Sequence, residues 1–166
     1  MIGKFTTRAY DSREAFEAGT CSAIHVTHNR FTDTGLLWMW RMMAGELRNG
    51  EGGLTDHLGS ARIVVGDGSQ DFSPADVRLT GAQTAQSDLD PGFPAVSLAE
   101  IVGDEVDRVG RITLRATFGE ADAAFDWQER GVVTAQGVLL DRAVSDQGRK
   151  VLGAIWECEA TLDLLR

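Results

Sequence analysis

Hydrophobic and polar positions follow two rhythms along this chain, and the clearest is at its end. Ala154, Trp156, Cys158, Ala160, Leu162 and Leu164 share one phase of a two-residue period, with Ile155, Glu157, Glu159, Thr161 and Asp163 in the other. Successive strand residues point to opposite faces, so this predicts a strand with one core face and one mostly wet face, as in an antiparallel sheet. Arg111–Phe118 repeats the pattern, with Ile112, Leu114, Ala116 and Phe118 together. Shorter strands are predicted at Ser22–His28, at Ala61–Val65, through Phe125, Trp127 and Gly131–Val133, and from Gly137 to Leu140. Breakers separate them. Gly66-Asp67-Gly68-Ser69 reads as a turn in which glycine supplies positive φ, Ser73-Pro74-Ala75-Asp76 as a loop or one helical turn, and Asp90-Pro91-Gly92-Phe93-Pro94 as a further break.

The second rhythm is confined to Gly35–Leu47, after the capping types Thr32, Asp33 and Thr34. Leu36, Trp40, Met43 and Leu47 recur at spacings of four and three, one face of a helix. Met39 and Met42 lie on the opposite side, so burial on more than one side is expected, with Asn49–Gly53 ending the helix. Residues 1–20 show neither rhythm and read as an extended N-terminal arm. Phe5, Tyr10 and Phe16 would then be interface anchors against a neighbouring subunit, because rigid rings bury area at little entropic cost. The alternative lays the arm on its own domain as an edge strand. The sum is a mainly β or α+β fold: an antiparallel β-sandwich-like domain over residues 21–166, of about six or seven strands, with one buried helix near its N-terminus. Trp38, Trp40, Phe118, Trp127 and Trp156 are the expected core anchors.

Composition narrows the function more than the fold. At 166 residues, 43% hydrophobic and 25% charged, the chain fits one ordinary globular domain. The formal net charge of −9 repels phosphate backbones and anionic membrane surfaces, so neither nucleic acid nor membrane is an expected partner. Met1–Gly19 mixes Lys4, Arg8, Asp11, Arg13, Glu14 and Glu17 without an apolar run, so no secretory leader is expected. Leu36–Met43 is too short to span a bilayer and contains Arg41. Cys21 and Cys158 make no disulfide framework and read as small hydrophobes in a reducing compartment.

Candidate chemistry is sparse. Cys21, His25 and His28 have metal-ligand types, but a strand would turn His28 away from the other two. Asp67-Gly68-Ser69-Gln70-Asp71 lacks the terminal bidentate Glu of a calcium loop. No nucleophile elbow or phosphate loop is present, and Glu120 with Asp122 and Glu157 with Glu159 read as solvated pairs. Arg115 and Arg142 lie in apolar strands and would need partners if buried, with Glu129 a suitable partner for Arg142. No catalytic residue, metal or cofactor is expected.

Several segments, in order, resemble small virion structural proteins of tailed double-stranded DNA bacteriophages. They are Asn29–Leu36 with its following helix, Ala61–Gly68, Phe72–Leu79 with Asp90–Pro94, and Ile112–Gly119. Ala123–Val132, Leu139–Val144 and the strand around Trp156 continue the likeness, which spans roughly Asn29–Leu164. The acidic stretch Leu98–Val109 and the N-terminal arm depart from the family pattern. The resemblance implies a non-enzymatic protein made in the host cytoplasm and located in the virion. Its first form is a capsid decoration protein bound to the major capsid protein, as a homo-oligomer with a trimer favoured. The alternative is a tail, baseplate or fibre-associated protein, and a small envelope-acting hydrolase is the reading from another class.

Overall fold

The computed structural model describes residues 2–43, 58–101 and 107–164. The fold is mainly β, as expected, but it is one curled antiparallel sheet of nine strands rather than a sandwich of six or seven. In chain order the strands are β1 (Ile2–Tyr10), β2 (Ala23–Phe31), β3 (Arg62–Gly66), β4 (Thr84–Asp88) and β5 (Ala95–Ile101). They continue with β6 (Asp107–Phe118), β7 (Asp126–Val133), β8 (Leu139–Arg149) and β9 (Ile155–Leu164). Their order across the sheet is β4-β3-β7-β8-β2-β1-β9-β6-β5. The curl brings β4 against β6, where Ser87 Oγ donates to the Thr117 carbonyl at 3.0 Å and Asp90 N to the Arg115 carbonyl at 2.8 Å.

The expected arm over residues 1–20 is instead part of the sheet. β1 pairs with β2 on one side and with β9 on the other, and Phe5 is fully buried. Its rhythm was hidden because the inward positions are Gly3, Phe5, Thr7 and Ala9, of which only two are plainly apolar. The outward Arg8 pairs with Glu157 at 2.7 Å on β9, so a charge-rich stretch is satisfied within the sheet. A short helix α1 (Arg13–Glu17) follows, capped by Ser12 Oγ, which accepts from Ala15 N. Tyr10 is buried and meets the half-buried Phe16 edge to face at 5.1 Å. The three proposed interface rings therefore find partners inside their own chain.

The second helix, α2 (Asp33–Met43), starts where expected. Thr32 caps it, its Oγ1 accepting from Gly35 N at 3.0 Å. Gly35 lies so close to β8 that a Cβ would stand 2.0 Å from the Leu140 carbonyl oxygen. That approach turns Trp38 and Met39 into the core, with Met42 packed beside them. Trp40, expected as a core anchor, is 67% exposed, and Leu36 and Leu37 are exposed with it. The helix is thus buried on one side only, and not on the stripe that spacing suggested. Both faces were apolar, and backbone contact at Gly35 decided between them. Leu47 and the expected terminator Asn49–Gly53 lie outside the described residues.

The curled sheet wraps a core in which Trp127 packs edge to face on both Phe118 and Trp156, with ring centroids 4.8 Å apart in each of the two pairs. Trp127 Nε1 donates to the Ala123 carbonyl, so its buried N–H is satisfied.

Candidate functional site

Three arrangements stand out once packing is accounted for. The first is the outer side of α2, where Leu36, Leu37 and Trp40 form an apolar stripe facing away from the core. On an ideal helix these positions fall within one arc, and Trp38, Met39 and Met42 fall in the arc opposite. Nearby in sequence, Ile24 and Val26 are 58% and 61% exposed on the outward side of β2. Single exposed apolar residues are ordinary; a contiguous apolar stripe on a packed helix is a candidate docking surface.

The second lies on the face of β7 and β8 away from the core. Arg142 and Glu129 are fully buried and pair at 2.7 Å, the partnership the sequence suggested. Arg142 also meets Asp76 at 2.7 Å and the Gln70 carbonyl at 2.8 Å. The Glu129 carboxylate accepts from the backbone of Thr80 at 2.9 Å and of Gly81 at 2.7 Å. One buried ion cluster therefore pins residues 70–81 over the sheet. Gly66 and Gly68 are absent from the positive-φ glycines. They are needed for space, since a Cβ on either would stand 2.8 Å or 2.4 Å from a Glu129 oxygen. Beside this flap runs a groove of about 1050 Å³ whose lining includes Val64, Leu79, Thr84 and Val133. Its charged lining residues are Arg78 and Asp76, and Asp76 is already engaged with Arg142.

The third is inside the curl. Asp141 is buried on β8, accepting from Val132 N at 3.0 Å and from Asn29 Nδ2. Burial pushes its carboxyl up to about 7 against those two hydrogen bonds. Arg130 is fully buried on β7, and burial lowers its pKa. Its Nη1 donates to Thr7 Oγ1 at 2.7 Å and to Gln147 Oε1 at 2.8 Å. Cys158 lies beside Thr7, its thiol pushed up to about 11 by burial and so protonated at neutral pH.

The residues weighed for chemistry are scattered. His25 faces inward half-buried, His28 is exposed on the other side of β2, and Cys21 precedes the strand. Both cysteines are free thiols. His57 lies outside the described residues. Asp67 holds a turn, accepting from Gln83 N at 2.9 Å, and Asp122 accepts from Gly119 N. Glu157 and Glu159 belong to an outer ladder of ion pairs with Arg8 and Arg115. Among the described residues, no three or more His, Cys, Asp or Glu converge as metal ligands, and no helix is long and apolar enough to cross a membrane. Arg130 and Asp141 were missed by sequence reasoning. Their only signal was a charge at an inward phase of an apolar strand. Compared with known proteins, the chain matches no family model, no curated relative and no solved structure.

Proposed function

We propose that this chain is a non-catalytic structural subunit of a tailed-bacteriophage virion, in the first instance a capsid decoration protein docked on the major capsid protein. The observation that carries the docking role is the outward stripe of Leu36, Leu37 and Trp40 on a helix anchored by Trp38 and Met39. A rigid helix that presents a tryptophan to solvent has the character of an interface hot spot, where aromatic rings carry much of the binding energy. The virion setting rests on the ordered resemblance from Asn29 to Leu164, and the net charge of −9 keeps such a subunit soluble and apart from packaged nucleic acid. On this reading the subunit self-associates, with a trimer favoured, and reinforces the lattice without chemistry of its own. The second reading places the same docking face in the tail, baseplate or fibre base.

Quantitative mass spectrometry of virions from the phage that encodes the chain tests the proposal. Hundreds of copies per particle support decoration, and a handful supports the tail position. A protein abundant in the lysate and missing from purified particles would overturn both.

A further inference from the structure

Among the described residues two arginines, Arg130 and Arg142, are fully buried, and they are treated differently. Arg142 meets two carboxylates. Arg130 meets none. Its guanidinium is held by the neutral oxygens of Thr7, Gln147 and Ser145, at 2.7, 2.8 and 3.0 Å, and stands over the Phe5 ring at 5.4 Å. Its Nε has no partner. The other inward carboxyl, Asp141, is held by Val132 N and Asn29 and makes no ion pair with Arg130. A buried cation without an anion is costly unless something supplies the charge.

The sheet is open beside this group. β2 and β8 pair only at Arg30 with Arg142 and at Phe31 with Asp141. Beyond those positions the remaining lengths, Ala23–Asn29 and Ala143–Arg149, have no ladder between them. The inward residues of β2 record the opening. Ala23, His25 and Thr27 are half-exposed, while their partners across the β1 ladder, Ala9, Thr7 and Phe5, are buried. Ser145, on the opposite lip, is half-exposed and donates no charge; it accepts from Arg130. His25 and Thr27 on one lip and Ser145 on the other are thus half-exposed beside Arg130, between two strand lengths that form no ladder with each other.

We propose that this seam is a carboxylate-binding site, which receives an Asp or Glu side chain carried on an extended segment of another polypeptide. The charge complementarity fixes the acid, because Arg130 lacks only an anion and a carboxylate accepts from guanidinium in charge-assisted bonds. The unpaired edges of β2 and β8 fix the extended segment, since a guest strand can complete a ladder that the two edges leave unfinished. The ligand chemistry is independent of which assembly the chain joins, so it goes beyond the virion proposal and does not stand or fall with it.

Nitrogen-15 NMR of the full chain tests it with three probes: succinate, a capped extended heptapeptide with a central Glu among Thr and Val, and its Gln counterpart. The expected result is saturable change at the Arg130 Nε–H and at the amides of residues 23–28 and 143–147 with the Glu peptide. The Gln peptide should bind about tenfold or more weakly, the loss of one charge-assisted contact. Thr27→Trp, which fills the seam from a half-exposed position, should abolish the response while the rest of the spectrum is retained, and it serves if Arg130→Gln does not fold. Equal binding of Glu and Gln peptides would overturn the site, as would a Glu-peptide response that persists in Thr27→Trp. Succinate binding as tightly as the peptide would overturn the extended occupant, and no response to any probe would overturn the whole.

Discussion

Asp141 shows how one buried carboxyl ties the fold to pH. In the unfolded chain it ionises near the ordinary aspartate value of about 3.8, and in the fold burial makes it hold its proton to about 7. A raised carboxyl pKa means that the native state binds the proton more tightly, so stability from this group is greatest below about pH 4, falls as pH rises to 7, and is level above. Three units correspond to roughly 4 kcal/mol at most. Asn29 Oδ1 is a buried acceptor without a donor, and an amide at position 141 could donate to it after the Asn29 side chain rotates. Asp141→Asn should therefore come closest to the wild type below about pH 4 and exceed it in urea midpoint at pH 8. A difference independent of pH would contradict the assignment. Tryptophans offer a second contrast at this scale. Trp156→Ala should cost on the order of 3–5 kcal/mol, because the ring packs on Trp127 in the core. Trp40→Ala, at an exposed position, should change stability by under about 0.5 kcal/mol in the same denaturation experiment.

Among the elements, the strands with a clean period of two were legible: β9, most of β6, and the centres of β2, β3, β7 and the start of β8. β1 was not, because Gly3 and Thr7 occupy inward positions that sequence reading expects to be apolar. β4 and β5 were missed for related reasons. Thr84–Asp88 is a short edge strand almost without apolar residues, and Ala95–Ile101 runs from the Asp90–Pro94 break into the acidic stretch that begins at Leu98. The outward stripe on α2 was visible as apolar residues but expected to be buried along with the helix's other side, since nothing in the spacing reveals that Gly35 must face β8. Ser73–Asp76, read as a loop or one helical turn, lies within the irregular flap of residues 70–81, and the Glu129–Arg142 pair beneath it was legible because two opposite charges sat in adjacent apolar strands. Removing one member leaves the other buried and underpaired. Glu129→Ala should cost on the order of 3 kcal/mol and should open the flap to protease between residues 70 and 81. Cleavage no faster than in the wild type would show that the flap is held by other contacts.

For the whole molecule, the position of β1 has the largest consequence. It joins β2 to β9 in the middle of the sheet, so deleting Met1–Thr20 should abolish cooperative unfolding rather than yield a folded domain that merely fails to assemble. Circular dichroism of the truncated chain checks this, and a native-like melt would contradict the interior placement. With the N-terminal rings engaged inside the chain, the proposed assembly would use a surface the fold leaves uncovered, and the outer side of α2 is an apolar one. The most direct test of that claim is incorporation of the Leu37→Asp, Trp40→Asp double variant into virions, supplied in place of the wild-type chain. Both positions are exposed, so the variant should melt like the wild type and be absent from purified particles. A variant that folds normally and enters virions at the wild-type copy number would contradict docking through α2.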